Sequence, residues 1–574
     1  GLAMLASIDA MLNSREALVW ALGLSVLANW VGVLQVSRSL KALVLAPVSA
    51  LFALIAVSLV GSFLLQPATR HMGHWGGIID GVVAFALCIL VSHRLGRWAG
   101  ESEGKQRFPP AQARHRRGAV ISAILTARPP RRQFGFGKRP PQPPTGSPTL
   151  AGVSLGLQDE TKHFKIIGAT GTGKSTAIRE LLSAALRRGD RAIIADPDGS
   201  YLDIFYDAAR GDVILNPFEP QARKWDLFAE IIQSYDVEQL AHSLIPDIGG
   251  DERIWSEYAR TFFGAVTQQL IRAGTRDDKT LYRLVRSADD DELYELLTGT
   301  AAGPFLRPGS EKMFGSLRSV ASNAVRVLEH TTEQQAQPLS VRQWVREGAA
   351  RQAGGKGGVL FLPYRASQIV SLRSVISAWM RLGIFEAMDR PVGDQRLWFV
   401  VDELDALGAI DGLKDALARL RKFGGRCVLG FQSIAQVSGT YGREVADTLV
   451  ENCSNTLILR CSASERGGTS EFASKLIGQR EVVHTTYSQT QKLEELLAKP
   501  TSTTSQQIRI EPAVMASETE RLPDLSGFLK LASQPDWQLV RLEPVRYPTV
   551  ARNREPGPAA SAVGEPTGGA ELPG

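Results

Sequence analysis

Residues 168–175 constrain the fold of this chain more than any others, because they read Gly-Ala-Thr-Gly-Thr-Gly-Lys-Ser. This order has the Gly-x-x-x-x-Gly-Lys-Ser spacing of a phosphate-binding loop. The apolar run Phe164–Ile167 predicts a strand before the loop, and residues 175–182 predict a helix after it. A strand, a glycine turn and a helix N-terminus present backbone N–H groups and a positive dipole end to phosphates. The pattern therefore predicts an α/β nucleotide-binding fold.

The residue types in the loop predict its ligands. Lys174 would pair with the β- and γ-phosphates, and the Ser175 hydroxyl would hold Mg²⁺. ATP and Mg²⁺ are the cofactors predicted on this basis. The nucleotide contacts are assigned to the whole loop and to the start of the helix: Gly168, Ala169, Thr170, Gly171, Thr172, Gly173, Lys174, Ser175 and Thr176.

A second nucleotide motif follows the apolar run Leu397–Val401. Five consecutive apolar residues suit a strand that is buried on both faces of a parallel sheet. Asp402, directly after this run, is predicted to bind Mg²⁺ through water, and Glu403 to orient and deprotonate the attacking water. A buried strand ending in Asp-Glu is common, but together with the phosphate loop it predicts the Walker B element of a P-loop ATPase.

The N-terminal region holds three apolar stretches, at 17–36, 42–65 and 75–92. The middle stretch carries no charge and is long enough to cross a bilayer. The third carries Asp80 near its start, and the first, which contains Asn29 and Gln35, is the weakest candidate. Buried helices of a soluble domain or a cleaved signal peptide fit three such stretches less well. We therefore expect a transmembrane region of two or three helices in residues 1–98.

The segment after the third stretch predicts the orientation in the membrane. It is rich in Arg and Lys, which only Glu101 and Glu103 oppose. Such an excess marks the cytoplasmic side, and it also suits attraction to anionic lipids. A multi-pass protein of the bacterial inner membrane with a cytoplasmic ATPase domain is expected. Residues 99–150 are interpreted as a basic, proline-rich cytoplasmic linker and residues 553–574 as a disordered tail.

The length of the chain and its cysteines indicate the number of domains and the class of protein. A chain of 574 residues suggests two to four domains. The four cysteines show no Cys-x-x-Cys spacing, so reduced structural thiols are expected in place of a metal site or a disulfide framework.

The interval between the two nucleotide motifs predicts an inserted domain. Lys174 and Asp402 lie more than two hundred residues apart. Between 225 and 330, apolar residues recur at the three- and four-residue spacing of helices. The aspartates at 277–278 and 289–291 are interpreted as solvated loops between these helices. A RecA-like nucleotide-binding domain is therefore assigned to 151–221 and 340–552, with an all-α insertion at 222–339.

Two residues downstream of the second motif are candidates for chemistry at the γ-phosphate. The run 427–430 predicts a strand, and Gln432 just beyond its end is well placed to touch the γ-phosphate and its water. Arg421 lies near the end of a predicted basic helix, 412–422, and is a candidate arginine finger that reaches a neighbouring subunit. The alternative for Arg421 is a surface arginine that stabilises a helix C-terminus.

The combined motifs resemble those of the type IV secretion system coupling proteins, the TraD/TrwB/VirD4 family, and most of all its TrwB-like branch. The order of the motifs, the helical insertion and the N-terminal apolar stretches all agree, and the resemblance covers nearly the whole chain. In chain order the motifs are the loop at 168–176, Asp-Pro-Asp-Gly at 196–199, Asn-Pro-Phe at 216–218 with Trp-Asp at 225–226, Asp-Glu at 402–403, Gly-Phe-Gln-Ser at 430–433 and Leu-Pro-Asp-Leu at 522–525.

The resemblance implies a homo-hexameric ring of RecA-like domains on an inner-membrane stem. Such a ring pumps single-stranded DNA with its attached relaxase, or protein effectors, toward a type IV secretion channel. The resemblance places Arg421 at the in-trans arginine position and Gln432 at the sensor position. Lys162 departs from the pattern, because TrwB-like relatives carry a second arginine there and lysine cannot make a bidentate contact.

Three functions remain open at this point, and the coupling ATPase is favoured. An FtsK-like chromosome translocase has a related core, but the pattern after about residue 552 predicts no helical DNA-reading module. A docking receptor that uses ATP only as a switch would not need a water-activating residue, so Glu403 argues against it.

Overall fold

The structure, a computed structural model, describes residues 15–36, 40–60, 74–104, 112–122, 146–246, 253–353, 357–391, 395–464, 468–490 and 501–550. The strands are β1 Gln112–Gly118, β2 Ile121–Ser122, β3 Thr149–Leu150, β4 Val153–Ser154, β5 Phe164–Ile167, β6 Arg191–Pro197, β7 Val213–Ile214, β8 Lys224–Trp225, β9 Pro338–Leu339, β10 Val359–Tyr364, β11 Leu397–Val401, β12 Gly425–Phe431, β13 Asn455–Ile458, β14 Gln479–Thr490, β15 Thr501–Pro512, β16 Ser526–Lys530 and β17 Trp537–Arg541.

The helices are α1 Arg15–Val36, α2 Leu40–Val60, α3 His74–Gly104, α4 Leu157–Glu160, α5 Lys174–Arg187, α6 Leu202–Phe205, α7 Asp236–Leu244, α8 Arg253–Arg272, α9 Asp278–Arg286, α10 Asp290–Leu297, α11 Glu311–Ala324, α12 Leu328–Thr331, α13 Val341–Ala353, α14 Ile369–Met388, α15 Leu413–Leu420, α16 Ile434–Tyr441, α17 Arg443–Asn452, α18 Gly468–Ile477 and α19 Ala516–Glu520.

By its internal contacts the chain divides into two compact units, 1–116 with 481–509 and 117–480 with 510–574. The first unit contains α1 to α3 and most of a three-stranded sheet with the order β1-β14-β15. The predicted bounds of the linker, the insertion and the tail stay predictions, and the tail at 553–574 lies outside the described residues.

Helices α1, α2 and α3 fall on the three apolar stretches of the sequence. The segment Ile78–Glu101 of α3 is long and apolar enough to cross a bilayer, whereas the apolar parts of α1 and α2 are shorter, Val19–Gln35 and Leu43–Val57. The middle stretch, 42–65, is predicted to be long enough to cross a bilayer; its described part, α2, runs to Val60, and the apolar segment within it is shorter than a span. Among the described helices, one segment meets the length and composition of a span, so these criteria do not support a multi-pass arrangement.

Close approach of α1 and α3 requires glycine at two positions. A Cβ atom on Gly32 would lie 2.4 Å from the carbonyl oxygen of His93, and a Cβ atom on Gly96 would lie 2.2 Å from that of Asn29. Both contacts are with backbone, which cannot move aside. Small residues at helix crossings of this kind are typical of packed membrane helices.

The side chains of this helix bundle are arranged with polar groups inside. Ser25 and Asn29 are buried, and Asn29 Nδ2 donates a hydrogen bond to Ser49 Oγ at 2.8 Å. Large apolar side chains face outward instead, and Trp20 and Phe52 are 69% and 68% exposed. Small apolar residues such as Ala46 and Ala50 are buried beside the polar groups, so the bundle exposes its large apolar side chains, which a water-soluble bundle would bury.

The second unit is built on a sheet with the strand order β2-β17-β16-β13-β5-β12-β11-β6-β10-β7. From β13 to β7 all neighbouring strands are parallel. Strands β16 and β17 extend the β13 edge in antiparallel fashion. The predicted strands Phe164–Ile167 and Leu397–Val401 are β5 and β11, and the predicted α/β core with an all-helical insertion is confirmed.

Both faces of this sheet are covered, as the uninterrupted apolar sequence of β11 predicts. Phe399 and Val401 join one hydrophobic core, while Trp398 and Val400 join the core on the other face. All four side chains are at most 1% exposed. Burial on both faces fixes the register of β11, because a one-residue slip would exchange its two sets of side chains.

The helical insertion leaves and rejoins the sheet domain through a pair of short strands. Strands β8 and β9 pair in parallel, and helices α7 to α12 lie between them in sequence. Apolar residues of these helices, including Phe262, Leu281 and Leu317, are fully buried and continuous with one core of the sheet.

The aspartates of the insertion begin helices, so their interpretation as loops is wrong, although Asp277 and residues 289–291 are exposed to solvent as expected. Asp277 caps α9 by accepting a hydrogen bond from Thr280 N, and Asp289 caps α10 by accepting one from Glu292 N. Asp278 is the first residue of α9 and is only 8% exposed. Aspartate is favoured at both positions, because it accepts from free N–H groups and complements the helix dipole.

Candidate nucleotide site

The order of four parallel strands brings the predicted site residues together. Strands β5, β12, β11 and β6 are neighbours in the sheet. Because they are parallel, their carboxyl ends lie at one edge. The phosphate loop follows β5, Gln432 follows β12, and Asp402 and Glu403 follow β11, while Asp196 lies near the end of β6. We call this set of loops the carboxyl edge.

The loop at 168–173 has the backbone conformation that its glycines permit. Gly171 and Gly173 lie in the left-handed region, with φ of +76° and +120°, which glycine adopts without strain. A Cβ atom on Gly173 would also lie 2.9 Å from Leu525 Cδ2. No side chain caps the N-terminus of α5 at Gly173, so the first N–H groups of this helix are left for a ligand.

Lys174 lies under the loop and is held there by carbonyl groups. Its Nζ donates hydrogen bonds to the carbonyl oxygens of Gly168 at 2.8 Å and Ala169 at 3.4 Å. Burial lowers the pKa of Lys174, and the nearby carboxylates of Asp402 and Glu403 act in the opposite direction. The residue therefore carries a positive charge to a buried position where anionic oxygens are its natural partners.

The two predicted magnesium ligands are in direct contact. Ser175 Oγ donates a hydrogen bond to Asp402 Oδ2 at 2.7 Å. The same carboxylate oxygen accepts a second hydrogen bond from the Tyr201 hydroxyl at 2.8 Å. Asp402 is 5% exposed. A hydroxyl and a carboxylate at this spacing are oxygen ligands of the type that Mg²⁺ prefers.

Glu403 and Gln432 form a chain of hydrogen bonds with the phosphate loop. Gln432 Nε2 donates to Glu403 Oε1, and Thr170 Oγ1 donates to Gln432 Oε1 at 2.7 Å. Burial, followed by repulsion from Asp405, raises the pKa of Glu403. A raised pKa makes a carboxylate a stronger base, which suits a group that removes a proton from water.

Tyr201 and Asp196 support this site, but sequence analysis gave them no role. Asp196 accepts hydrogen bonds from Tyr201 N at 3.0 Å and from Leu202 N at 2.7 Å. Burial raises the pKa of Asp196 to about 7, and the two backbone N–H groups oppose that rise. The Asp-Pro-Asp-Gly motif pointed to this turn, whereas no local pattern distinguishes the tyrosine that follows it.

The Leu-Pro-Asp-Leu motif at 522–525 packs directly on the phosphate loop. Leu525 N donates to Thr172 O at 2.9 Å, and Leu525 itself has a left-handed φ of +64°. Arg460 braces the other end of the loop, because its carbonyl oxygen accepts from Ala169 N at 2.8 Å. An ion pair of 2.7 Å between Arg460 Nη2 and Asp524 Oδ1 connects the two supports.

Arg421 and Lys162 lie at the opposite, amino edge of the sheet. Arg421 belongs to a 3₁₀ turn, Arg421–Phe423, just before β12, and Lys162 comes just before β5. The seven residues of β12 span roughly 20 Å at about 3.3 Å per residue. The structure therefore does not bring either side chain to the phosphate loop of its own chain. Arg421 lines a cavity of about 320 Å³ that also contacts Thr161.

Comparison with known proteins identifies the family. Residues 147–543 match the family described as type IV secretion-system coupling protein DNA-binding domain. The chain belongs to this family. The resemblance to the TraD/TrwB coupling proteins of conjugation and type IV secretion is thereby confirmed.

Individual relatives agree with this assignment. The chain is 29% identical over 375 residues to coupling protein TraD of Escherichia coli (strain K12), a match that covers 65% of this chain and 51% of TraD. It thus spans about half the length of this curated relative. Plasmid coupling protein TrwB in complex with ADP and Mg²⁺ is similar with a TM-score of 0.61 and 30% identity, over 72% of this chain and 92% of TrwB.

A second TrwB structure, in complex with a non-hydrolysable ATP analogue, gives a TM-score of 0.63 at 30% identity. That comparison covers 78% of this chain and 98% of TrwB. The fold of the matched part of the chain is therefore TrwB-like, a RecA-like core with a mixed sheet and a helical domain.

Proposed function

We propose that this chain is the ATPase of a conjugative coupling protein. It would use ATP hydrolysis to recruit single-stranded DNA with its relaxase, or protein substrates, and to pump them into a type IV secretion channel. The observation that carries the proposal is the contact of Ser175 with Asp402 beside the Glu403–Gln432 pair, directly behind a phosphate loop. These groups are the parts that a hydrolytic P-loop site requires.

The residues at the carboxyl edge fit ATP and Mg²⁺. The uncapped N-terminus of α5 and the left-handed glycines of the loop leave N–H groups for the phosphates. Lys174 supplies the positive charge for the β- and γ-phosphates. Ser175 and Asp402 supply oxygen ligands for Mg²⁺, which when bound would neutralise charge on the phosphate oxygens. The TrwB complexes with ADP and Mg²⁺ and with an ATP analogue support this assignment.

The chain's own groups provide the chemistry of hydrolysis. Glu403 is placed to accept a proton from the attacking water, and the raised pKa of its carboxyl group favours that transfer. Gln432 holds Glu403 through Nε2 and contacts Thr170 of the loop through Oε1. Gln432 would therefore sense whether the loop is occupied by a triphosphate and orient the base accordingly.

Arg421 would complete the site of a neighbouring subunit. It is exposed and lies at the amino edge, so a role at its own phosphate loop is excluded by distance. In a homo-hexameric ring, the amino edge of one subunit would face the carboxyl edge of the next. This arrangement would bring the Arg421 guanidinium to the neighbour's γ-phosphate. Charge stabilisation of this kind is the function of an arginine finger.

The helix bundle of the first unit would anchor the protein in the bacterial inner membrane, with the ATPase domain in the cytoplasm. Its inward polar groups and outward Trp20 and Phe52 suit a lipid environment. We propose that α1 and α2 insert together with α3, because the glycine contacts bind α1 closely to α3. The neighbouring excess of Arg and Lys suits the cytoplasmic surface.

Single-stranded DNA is the proposed cargo, with a relaxase attached. The family is described as a DNA-binding domain, and the chain carries a net charge of +6. A motor that moves along a strand must tolerate any sequence, so binding would be mainly electrostatic and would weaken steeply with salt.

ATP turnover by the full chain in detergent or lipid nanodiscs tests the proposal. We expect Mg²⁺-dependent hydrolysis that single-stranded DNA accelerates, and strand displacement or transport that stops when ATP is replaced by a non-hydrolysable analogue. ATP binding without turnover would instead support a docking receptor that uses ATP as a switch. Turnover that responds to double-stranded DNA alone would favour an FtsK-like translocase.

A further inference from the structure

We propose that Tyr201 is a positioning residue for the magnesium-binding carboxylate of Asp402, a role that rests on the proposed function. The Tyr201 hydroxyl donates to Asp402 Oδ2 at 2.8 Å, and Ser175 Oγ donates to the same oxygen at 2.7 Å. The terminal torsion of an aspartate side chain is intrinsically broad. Two donors on one oxygen remove that freedom and set the direction of the carboxylate before a metal arrives.

Tyr201 can act in this way because it is itself immobilised. The side chain is 0% exposed. At its backbone, Tyr201 N donates to both carboxylate oxygens of Asp196, at 3.0 and 3.1 Å. The guanidinium of Arg179, one turn beyond Ser175 on α5, lies 5.7 Å from the centre of the tyrosine ring. The hydroxyl is therefore presented to Asp402 from a rigid support.

This arrangement connects two turns at the carboxyl edge that are far apart in sequence. Asp196 lies near the end of β6 and Asp402 directly follows β11, and these two strands are adjacent and parallel. Tyr201 bridges them, with its backbone on Asp196 and its hydroxyl on Asp402. Groups that hold a metal-binding carboxylate in place typically change metal affinity by about 10- to 100-fold when they are removed.

The test is Tyr201→Phe, which removes the hydroxyl and keeps the ring. A matched control is Tyr206→Phe, just after the other end of α6, where the ring lies 6.3 Å from that of Phe361 and the hydroxyl makes no hydrogen bond to the described residues. Binding of a fluorescent, non-hydrolysable ATP analogue to the full chain is measured as Mg²⁺ is titrated, and again in EDTA. The melting temperature without nucleotide is recorded in parallel.

We expect Tyr201→Phe to raise the Mg²⁺ concentration for half-maximal binding by about 10-fold, with affinity in EDTA unchanged. Tyr206→Phe should match the wild type in both. In an Asp402→Asn background, Tyr201→Phe should add no further loss, because its hydroxyl acts only through that carboxylate. The variant Asp196→Asn, which loosens the backbone of Tyr201 but keeps its hydroxyl, should cause a smaller rise of the same sign.

Three outcomes would overturn the assignment. If the Mg²⁺ concentration for half-maximal binding is unchanged, Asp402 only provides a hydrogen-bond acceptor for the buried Tyr201 hydroxyl. A lower requirement would mean that the hydroxyl competes with the metal. An equal loss in EDTA and in Mg²⁺, with a lower melting temperature in both Tyr201→Phe and Asp196→Asn, would mean a purely structural role. If the wild type itself bound the analogue independently of Mg²⁺, the proposed function would fail first, and the two failures are thereby distinguished.

Discussion

The two edges of one parallel sheet differ in how far each is complete within a single chain. At the carboxyl edge, Lys174 is held by loop carbonyls, Asp402 accepts two hydroxyl donors, and Gln432 bridges Glu403 and Thr170. At the amino edge, the exposed side chain of Arg421 makes no hydrogen bond or ion pair with the described residues.

The difference follows from the cost of burying charge. A buried ionic or polar group must find a partner, so the carboxyl edge is folded around its own hydrogen bonds. An exposed guanidinium is solvated by water, so it needs no partner within its own chain and is available to a group on another molecule. One edge is therefore a nearly complete site for a ligand, whereas the other, under the proposed function, is completed by a second subunit. The following predictions test that contrast.

Lys174→Ala should have the largest effect, because it removes from the carboxyl edge the positive charge that would pair with the β- and γ-phosphates. We expect loss of both ATP binding and ATP hydrolysis, measured by fluorescent-nucleotide titration and phosphate release, and loss of conjugal transfer in cells. Lys475→Ala, which alters a surface lysine with a 75% exposed side chain, should behave as the wild type. Retained turnover in Lys174→Ala would show that the site lies elsewhere.

Arg421→Ala tests whether the amino edge serves a neighbour. An arginine finger contributes roughly 10³- to 10⁵-fold in rate, so the variant should bind ATP almost normally and hydrolyse it very slowly. Mixing Arg421→Ala with Lys174→Ala subunits should restore part of the activity. In a mixed ring, the intact arginine of the Lys174→Ala subunit can act on the intact loop of its neighbour.

The control for this experiment is Arg419→Ala, which removes a nearby exposed arginine and should leave turnover unchanged. If the mixture does not recover activity, Arg421 would have to act within its own subunit, which the length of β12 between Arg421 and the carboxyl edge argues against. Nearly normal hydrolysis by Arg421→Ala alone would reduce it to the alternative, a surface arginine at a helix end.

Glu403→Gln tests the chemistry inside the completed edge. Removal of a general base typically costs about 10²- to 10⁴-fold, so turnover should collapse while ATP binding is kept. The base works only when it is deprotonated, and its pKa is raised by burial and by Asp405. In the wild type, kcat should therefore rise with pH through that raised pKa and level off above it. The residual rate of Glu403→Gln should lack this rise, and an identical pH profile would remove Glu403 from the role.

The carboxyl edge was largely predictable from sequence because its parts carry local patterns. A glycine-rich turn between a strand and a helix indicates phosphate binding, and the buried strand Leu397–Val401 indicates the position of Asp402. The structure brings these predicted groups within hydrogen-bond distance of one another. Their chemical roles stay predictions until the substitutions above are measured.

Other features could not be predicted, because they depend on which strands become neighbours. Nothing in the local sequence around Tyr201 shows that its hydroxyl meets Asp402, which lies 201 residues away. The docking of Leu525 on the phosphate loop likewise depends on the antiparallel extension by β16 and β17. Composition suggested two or three spans among the apolar stretches, whereas among the described helices one segment, in α3, has the length and composition of a span.

Lys162→Arg should have the smallest effect and gives the finest test of the amino edge. Lys162 directly follows Thr161, which lines the same cavity as Arg421. If the two side chains face one neighbouring nucleotide, a guanidinium at position 162 would add a second, bidentate contact to it. An exposed ion pair contributes about 0.2–1 kcal/mol, so KM for ATP should fall by roughly 1.5- to 5-fold.

The lower KM of Lys162→Arg should appear only under conditions where the ring assembles, because a monomer has no neighbour to contact. Lys162→Ala should shift KM in the opposite direction and make KM less sensitive to salt, because one ionic contact is lost. Equal KM values for the Ala, Lys and Arg forms in assembled rings would place Lys162 outside the interface, and would leave Arg421 as the proposed contact from this edge to the neighbouring nucleotide.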